Sequence, residues 1–315
     1  MAEPKLEGHW RHAAACGVGA LAALLVACGS GGPSQPSALP TRVAVAAAPT
    51  PAPTPPPPPR VALVTIDGLR ADAVSSDNTP NMWGLVARGA YTFSAQTIFP
   101  SNTLPSHTSM LTGVEPSVHG VTFDEYRDTF QFSTPTAMSL VHAAGKRSVM
   151  VVGKDKFRQL VGPGTVDSYA EAMQGDEDVV NEAMVAIGTG FDFLFVHLPQ
   201  VDQVGHVSGW VSPEYLAQVK GADAALGRLI TYLPAGTTII VTADHGGNLK
   251  IHGTTAQTDL TIPWIIVGPR VTHHGAISHN VRTTDTALTI LAVLGVTPPS
   301  NCTGKVVAEI FDPQP

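Results

Sequence analysis

The chain has 315 residues, 43% of them hydrophobic and 14% charged, with a net charge of −7 and an isoelectric point of about 5.9. That is enough apolar chain for one large globular domain with appendages. It lacks the basic surplus needed to coat nucleic acid by neutralising phosphates, so no nucleic-acid-binding surface is expected.

The chain opens with Lys5, Arg11 and His12, followed by an apolar run over residues 13–27. At about 15 residues the run is shorter than the ~20 that span a bilayer as a helix. A basic start before a short apolar run reads as a secretory signal over 1–27. The run closes Leu25-Val26-Ala27-Cys28, then Gly29-Ser30-Gly31-Gly32. This resembles a bacterial lipoprotein signal. The resemblance implies a lipidated Cys28, a membrane partner through that lipid, and a place on the cell envelope facing periplasm or exterior. A soluble secretory signal and an uncleaved anchor are the alternatives. Of the three cysteines, Cys16 and Cys28 lie in this region and only Cys302 lies beyond it, so there is no disulfide scaffold.

Residues 28–59 are rich in Pro, Ala and Ser and end in the five prolines 55–59. Such a segment buries too little apolar surface to fold, and its proline-rich end favours an extended spacer. From Arg60 the pattern changes. Short, almost wholly apolar runs at 61–66, 148–152, 193–198, 237–242 and 264–267 read as strands buried on both faces. Helical patterns occupy 81–88, 105–111, 135–144, 178–187, 213–232 and 285–294. Alternation of the two predicts an α/β fold, with a mainly parallel central sheet, helices on both faces, and one catalytic domain over 60–315.

In open α/β sheets, ligands bind beyond the carboxyl ends of the strands. Asp67 follows the first strand. Asp202 and His206, four residues apart, follow the third, and Asp244-His245-Gly246 with His252 follow the fourth. Three carboxylates gathered on one rim repel one another unless cations are present, and two divalent ions offset them. The oxygen and nitrogen donor set favours Zn²⁺, with Mn²⁺, Fe and Mg²⁺ open. The stretch 99–113 supplies a nucleophile. Thr103 lies in a turn just before Pro105, which is expected to start a helix, and a helix N-terminus favours negative charge. A metal-activated Thr103 could take up a phosphoryl group without a Ser-His-Asp triad.

Together, Thr65-Ile66-Asp67-Gly68, Thr103-Leu104-Pro105-Ser106-His107, Thr112-Gly113 with His119-Gly120-Val121, Asp202 with Gly205-His206, and Asp244-His245-Gly246 resemble the alkaline phosphatase superfamily. The closest resemblance is to its type I phosphodiesterase / nucleotide pyrophosphatase branch. It implies an alkaline-phosphatase-like fold and hydrolysis of a small phosphate ester through a phospho-threonine at Thr103. It also implies one metal on Asp67, Thr103, Asp244 and His245 and a second on Asp202, His206 and His252. His273, His274 and His279 are the alternatives to His252. Asp124 occupies the position where that branch usually carries an Asn that donates to the phosphoryl oxygen, a task an ionised Asp cannot perform. Lys154 and Lys156 follow the strand 148–152 and are candidate phosphoryl contacts. His107 is expected to support the nucleophile loop, while His119 and His197 read as structural. A phosphomonoesterase on the same scaffold and a non-catalytic envelope lipoprotein are the competing functions. A sulfatase is disfavoured, because Thr103 stands where those enzymes need Cys or Ser. The natural substrate and the oligomeric state are not specified by these residues.

Overall fold

The computed structural model describes residues 58–311, together with Gly32. Residues 58–311 belong to a unit running from Pro55 to Pro315. The expected signal 1–27, Cys28 and nearly all of the linker lie outside the described residues.

The elements run β1 (Arg60–Ile66), α1 (Pro80–Val86), β2 (Ala90–Gln96), α2 (Thr103–Thr112), α3 (Pro116–His119), α4 (Ala137–Ala143), β3 (Ser148–Val152), β4 (Ser168–Glu171) and α5 (Asp176–Gly188). They continue β5 (Phe193–Leu198), α6 (Gln200–Ser208), α7 (Pro213–Tyr232), β6 (Thr237–Thr242), α8 (Gln257–Leu260), β7 (Thr261–Val267), β8 (Gly275–Ala276) and α9 (Asp285–Leu294). All strands join one eight-stranded sheet of order β4-β3-β5-β1-β6-β7-β2-β8. From β4 to β6 every pairing is parallel. β7 runs antiparallel to both β6 and β2. The sheet is therefore mainly parallel, as expected.

β1 is central because its sequence is apolar on both faces, and Val61, Ala62, Leu63, Val64 and Ile66 are all buried. The helices pack in two groups. α1, α5 and α6 gather on α7, while α2 and α4 gather on α9. Each group covers part of the sheet, α5 against β3 and β5, and α9 against β1.

Three strands escape the sequence reading. β2 is half-buried and carries Thr92 and Ser94, β4 has four partly exposed residues, and β8 has two. None gives a continuous apolar run. β7 begins at Thr261, three residues before the expected start, despite Pro263. The β2–β7 register shifts between Thr92 and Ala95, opposite that proline, where the missing N–H cannot join the ladder. α2 corrects another boundary. Asn102 is its N-cap and Thr103 its first residue, so Pro105 is third and not first. Proline is accommodated there because the first helical N–H groups have no intrahelical acceptor.

Candidate metal centre and nucleophile

β1, β5 and β6 are adjacent and parallel, so their carboxyl ends open on one rim. Asp67 leaves β1 there. The next residue, Gly68, has φ +70°, and a Cβ on it would lie 2.9 Å from the Asp202 Cα. Glycine is thus what lets the β1 turn sit against α6 and bring the two carboxylates together. The Gly68 carbonyl accepts from Trp210 Nε1 at 2.8 Å and from the Tyr215 hydroxyl at 2.9 Å, which pins the turn. Asp202 and His206 share one face of α6 at the i, i+4 spacing. Asp244 and His245 leave β6, and His252 follows a tight turn.

The carboxylates divide their oxygens. Asp244 Oδ1 accepts from the backbone N–H of Gly68 and of His245, while its Oδ2 has no hydrogen-bond partner. Asp67 Oδ2 accepts from His197 Nε2 at 2.8 Å and meets Lys154 Nζ at 2.7 Å, while its Oδ1 has none. Asp202 Oδ2 takes the same ammonium at 2.7 Å, and its Oδ1 is again without a hydrogen-bond donor. The imidazoles follow the same logic. His245 Nδ1 donates to the Gly246 carbonyl, His206 Nδ1 to Lys250 and His252 Nδ1 to Ser101, at 2.8, 2.9 and 3.0 Å. A carbonyl only accepts, so each ring carries its proton on Nδ1 and turns the Nε2 lone pair to the site.

These lone pairs converge. His245 Nε2 is 3.4 Å from Asp67 Oδ1 and 3.3 Å from Asp244 Oδ2. Asp202 Oδ1 is 3.3 Å from His206 Nε2 and 3.6 Å from His252 Nε2. Asp67, Asp244 and His245 form one group able to hold a metal, and Asp202, His245 and His252 form another. Buried acceptors facing one another without donors are costly, and a cation resolves that cost. The residues present therefore fit metal ions. Charge agrees, because the ammonium of Lys154 pairs with Asp67 and Asp202 and leaves Asp244 without a cationic side chain in ion-pair contact except His245 and His107, if protonated. Burial, reinforced by the charge of Asp67, pushes the Asp244 carboxyl up to about 8 in the metal-free protein. Burial would raise Asp67 too, but Lys154 and His197 hold it well below the usual carboxylate range.

Thr103, at the start of α2, is buried, with Lys154 Nζ 3.4 Å from its Oγ1. His107 supports it as expected. Its Nδ1 donates to the Thr103 carbonyl at 2.8 Å, its Nε2 accepts from Thr65 Oγ1, and burial keeps the ring neutral by lowering its pKa well below the ordinary value. His119 bonds Ser109 and the Val121 N–H, away from the lone-pair cluster. His273 and His279 face Glu309, and His274 is exposed outside the metal-capable groups.

Asp124 does not stand free. Its Oδ1 accepts from the Leu104 N–H and its Oδ2 from Lys156 Nζ, both at 2.8 Å. It caps the nucleophile helix from outside that helix, since Asn102 makes no side-chain cap. Lys156 is tied to this carboxylate, whereas Lys154 reaches the cluster. One contributor was missed. His197 reads from sequence as a satisfied buried residue, and it is one, but its partner is Asp67. The available signal was a His one residue from the end of a strand whose register puts it beside Thr65.

A family model, type I phosphodiesterase / nucleotide pyrophosphatase, matches residues 61–249. The catalytic subunit of human GPI ethanolamine phosphate transferase 2 is 25% identical over 280 residues, 81% of this chain and 28% of that protein. A pyrophosphatase/phosphodiesterase of Schizosaccharomyces pombe, described as uncharacterized, is 25% identical over 219 residues, 59% of this chain and 44% of its own. The chain thus spans less than half the length of these relatives. Murine ectonucleotide pyrophosphatase / phosphodiesterase 5, solved as an inactive variant in complex with AMP, superposes with a TM-score of 0.67 at 16% identity. That match covers 78% of this chain and 97% of the murine one. A 2-O GAG sulfatase superposes with a TM-score of 0.66 at 15% identity, over 81% of this chain and 74% of its own. At such identities the likeness is one of fold.

Proposed function

The chain belongs to the type I phosphodiesterase / nucleotide pyrophosphatase family, and from that premise we propose that it is a metal-dependent hydrolase of phosphodiesters or nucleotide pyrophosphates acting through a phospho-threonine at Thr103. The observation that carries the reading is the convergence of Asp67 Oδ1, Asp202 Oδ1, Asp244 Oδ2 and His245 Nε2, all buried and without hydrogen-bond donors. Asp67, Thr103, Asp244 and His245 would hold one divalent ion, and Asp202, His206 and His252 a second. The donor set favours Zn²⁺. Such ions supply the positive charge that makes a hydroxyl nucleophilic and stabilises phosphoryl oxygens.

The chain's own residues do the rest. Thr103 Oγ1 bonds phosphorus, and the bridging oxygen leaves with the departing alcohol of a phosphodiester or the departing phosphate of a pyrophosphate, which takes up the proton Thr103 gives up. Water then attacks the phospho-threonine, releasing the phosphate product and restoring the hydroxyl. His107 holds the Thr103 carbonyl, Asp124 caps the helix behind it, and Lys154 presents an ammonium to the phosphoryl oxygens.

The position of Lys154 also favours a second reading. A further cation 3.4 Å from the nucleophile suits the extra charge of a phosphomonoester. The test is turnover of bis-p-nitrophenyl phosphate against p-nitrophenyl phosphate by the Zn²⁺-loaded protein, with Thr103→Ala as control. Diester preference supports the first reading and monoester preference the second. No metal uptake and no turnover leaves the non-catalytic envelope protein. Anchoring through Cys28 belongs to the same proposal, and its test is loss of membrane association and of fatty-acid labelling in Cys28→Ala.

A further inference from the structure

Helices α5 and α6 both begin without a cap of their own. The N-cap of α5 is Gly175, which has no side chain, and that of α6 is Pro199, whose ring carries no acceptor; neither makes a side-chain cap. The first N–H groups of a helix have no intrahelical acceptor and need one from elsewhere when buried. Each helix supplies the other's. The Gln200 N–H, first in α6, donates to Asp176 Oδ1 at 3.0 Å, and the Asp176 N–H, first in α5, donates to Gln200 Oε1 at 2.8 Å. Asp176 Oδ2 accepts from Gln218 Nε2 of α7 at 3.0 Å, so one buried carboxylate joins α5, α6 and α7. Gly175 makes the approach possible. It has φ +117°, and a Cβ on it would lie 2.6 Å from the Gln200 Cδ.

α6 is the helix that carries Asp202 and His206. It has only nine residues, so its ends matter to its placement. Asp202 is its third residue and lies in the first turn, where the N–H groups depend on outside acceptors. A carboxylate at that end also meets the positive end of the helix dipole. The Asp202 side chain is committed elsewhere, with Oδ2 on Lys154 and Oδ1 turned without a donor toward His206 and His252. The bond from the Gln200 N–H to Asp176 is therefore what fixes the start of the turn. The nucleophile helix is held in the same way, by Asp124 at the Leu104 N–H. Both helices that bring residues to the site take their cap from a carboxylate elsewhere in the chain.

We propose that Asp176 is a positioning residue for the second ion, and that its clasp with Gln200 places Asp202 and His206 on α6. The proposal rests on the metal-dependent reading of the site. The side chains bonded to Asp176 are those of Gln200 and Gln218, so it acts through α6 and not on the ion. The clasp is also asymmetric. Removing the Asp176 carboxylate uncaps α6. Removing the Gln200 side chain uncaps α5 alone, because the α6 cap uses the Gln200 backbone N–H. Metal placement and fold stability therefore respond to different partners of the same pair.

The test is a Co²⁺ titration of the metal-free full chain, followed by the visible absorption of the bound ion. His206→Ala marks which class of site is the second. Asp176→Ala should weaken that class about tenfold or more, the loss typical of a partner behind a ligand, and leave the other class in place. Asp176→Asn keeps an acceptor for the Gln200 N–H, and a turned Gln218 amide meets its NH₂, so this variant should restore the affinity. Gln200→Ala should lower the unfolding temperature through α5 and leave Co²⁺ affinity unchanged. Hydrogen exchange at residues 201–206 of the metal-free protein should quicken in Asp176→Ala and not in Asp176→Asn. Should Asp176→Ala not fold, Asp176→Glu, which carries its oxygens one methylene farther, takes its place with the same expected weakening. Equal weakening of both classes, no weakening of either, or Asp176→Asn as weak as Asp176→Ala overturns the proposal. If the parent chain takes up no Co²⁺, the metal-dependent reading fails, and exchange at 201–206 alone decides the clasp, with no change in Asp176→Ala overturning it.

Discussion

The two halves of the proposed metal centre are built differently. Asp67, Asp244 and His245 come from the ends of adjacent strands and are fully buried, and each is held by hydrogen bonds through one atom and leaves the other without a partner. Asp202, His206 and His252 come from a short helix and a surface turn, and the His206 side chain is 43% exposed. Strand ends in a parallel sheet are fixed by the whole core, whereas a helix and turn are fixed by a few bonds such as Trp210 N–H to Leu249. In the proposed centre the first set, the buried half, is therefore the rigid one beside Thr103. In the second set, the open half, the opening to solvent is at His206, since the side chains of Asp202 and His252 are 6% and 9% exposed.

The largest effect should come from Thr103→Ala, which removes the nucleophile beside the buried half. A fall in kcat of about 10³-fold or more is expected. Metal content by elemental analysis should stay above zero, because the open half is untouched. Equal loss of both ions would break the distinction between the halves.

A smaller effect should follow from His197→Ala. It removes the donor to Asp67 without touching a metal, and outer-shell losses of this kind typically cost about 10–100-fold in metal affinity. Metal titration should show the tighter class of site weakened and the weaker class unchanged. His206→Ala should do the reverse, so the pair of variants separates the halves.

Asp176 is the control for burial without a cation. It is buried like Asp67, but burial pushes it up from 3.8 to about 6 because only Gln200 and Gln218 offset the desolvation. The folded protein holds this proton more tightly than the unfolded chain, so the group favours folding below its ordinary pKa. That contribution is lost as pH rises to about 6. The expected size is about 3 kcal/mol. Denaturant melts of Asp176→Asn should show a flatter pH dependence between pH 4 and 6. An unchanged slope would mean that Asp176 is ionised in the fold at no cost.

The smallest effect is expected from Asp124→Ala, which uncaps α2 at Leu104 and costs about 1 kcal/mol. Asp124→Asn keeps an acceptor for Leu104 and should recover most of that stability.

The same contrast explains what the sequence makes legible. β1, β3, β5 and β6 have almost unbroken apolar runs, so their positions, and hence the rim residues Asp67, Asp202 and Asp244, could be read directly. β2 and β4 alternate or sit half-exposed and lack that signal. The start of α2 was misplaced because Pro105 looked like a first residue, although the whole first turn can do without N–H bonds. Asp124 and His197 show the deeper difficulty. Their roles depend on partners 20 and 130 residues away, Leu104 and Asp67. No local pattern encodes such pairings.

The central claim is that Thr103 itself carries the phosphoryl group. Rapid quenching of the Zn²⁺-loaded protein during turnover of bis-p-nitrophenyl phosphate, followed by peptide mass spectrometry, tests it most directly. A phosphoryl adduct on Thr103, absent from Thr103→Ala, is the predicted result. Sustained turnover with residue 103 unmodified, and with Thr103→Ala equally active, would contradict it.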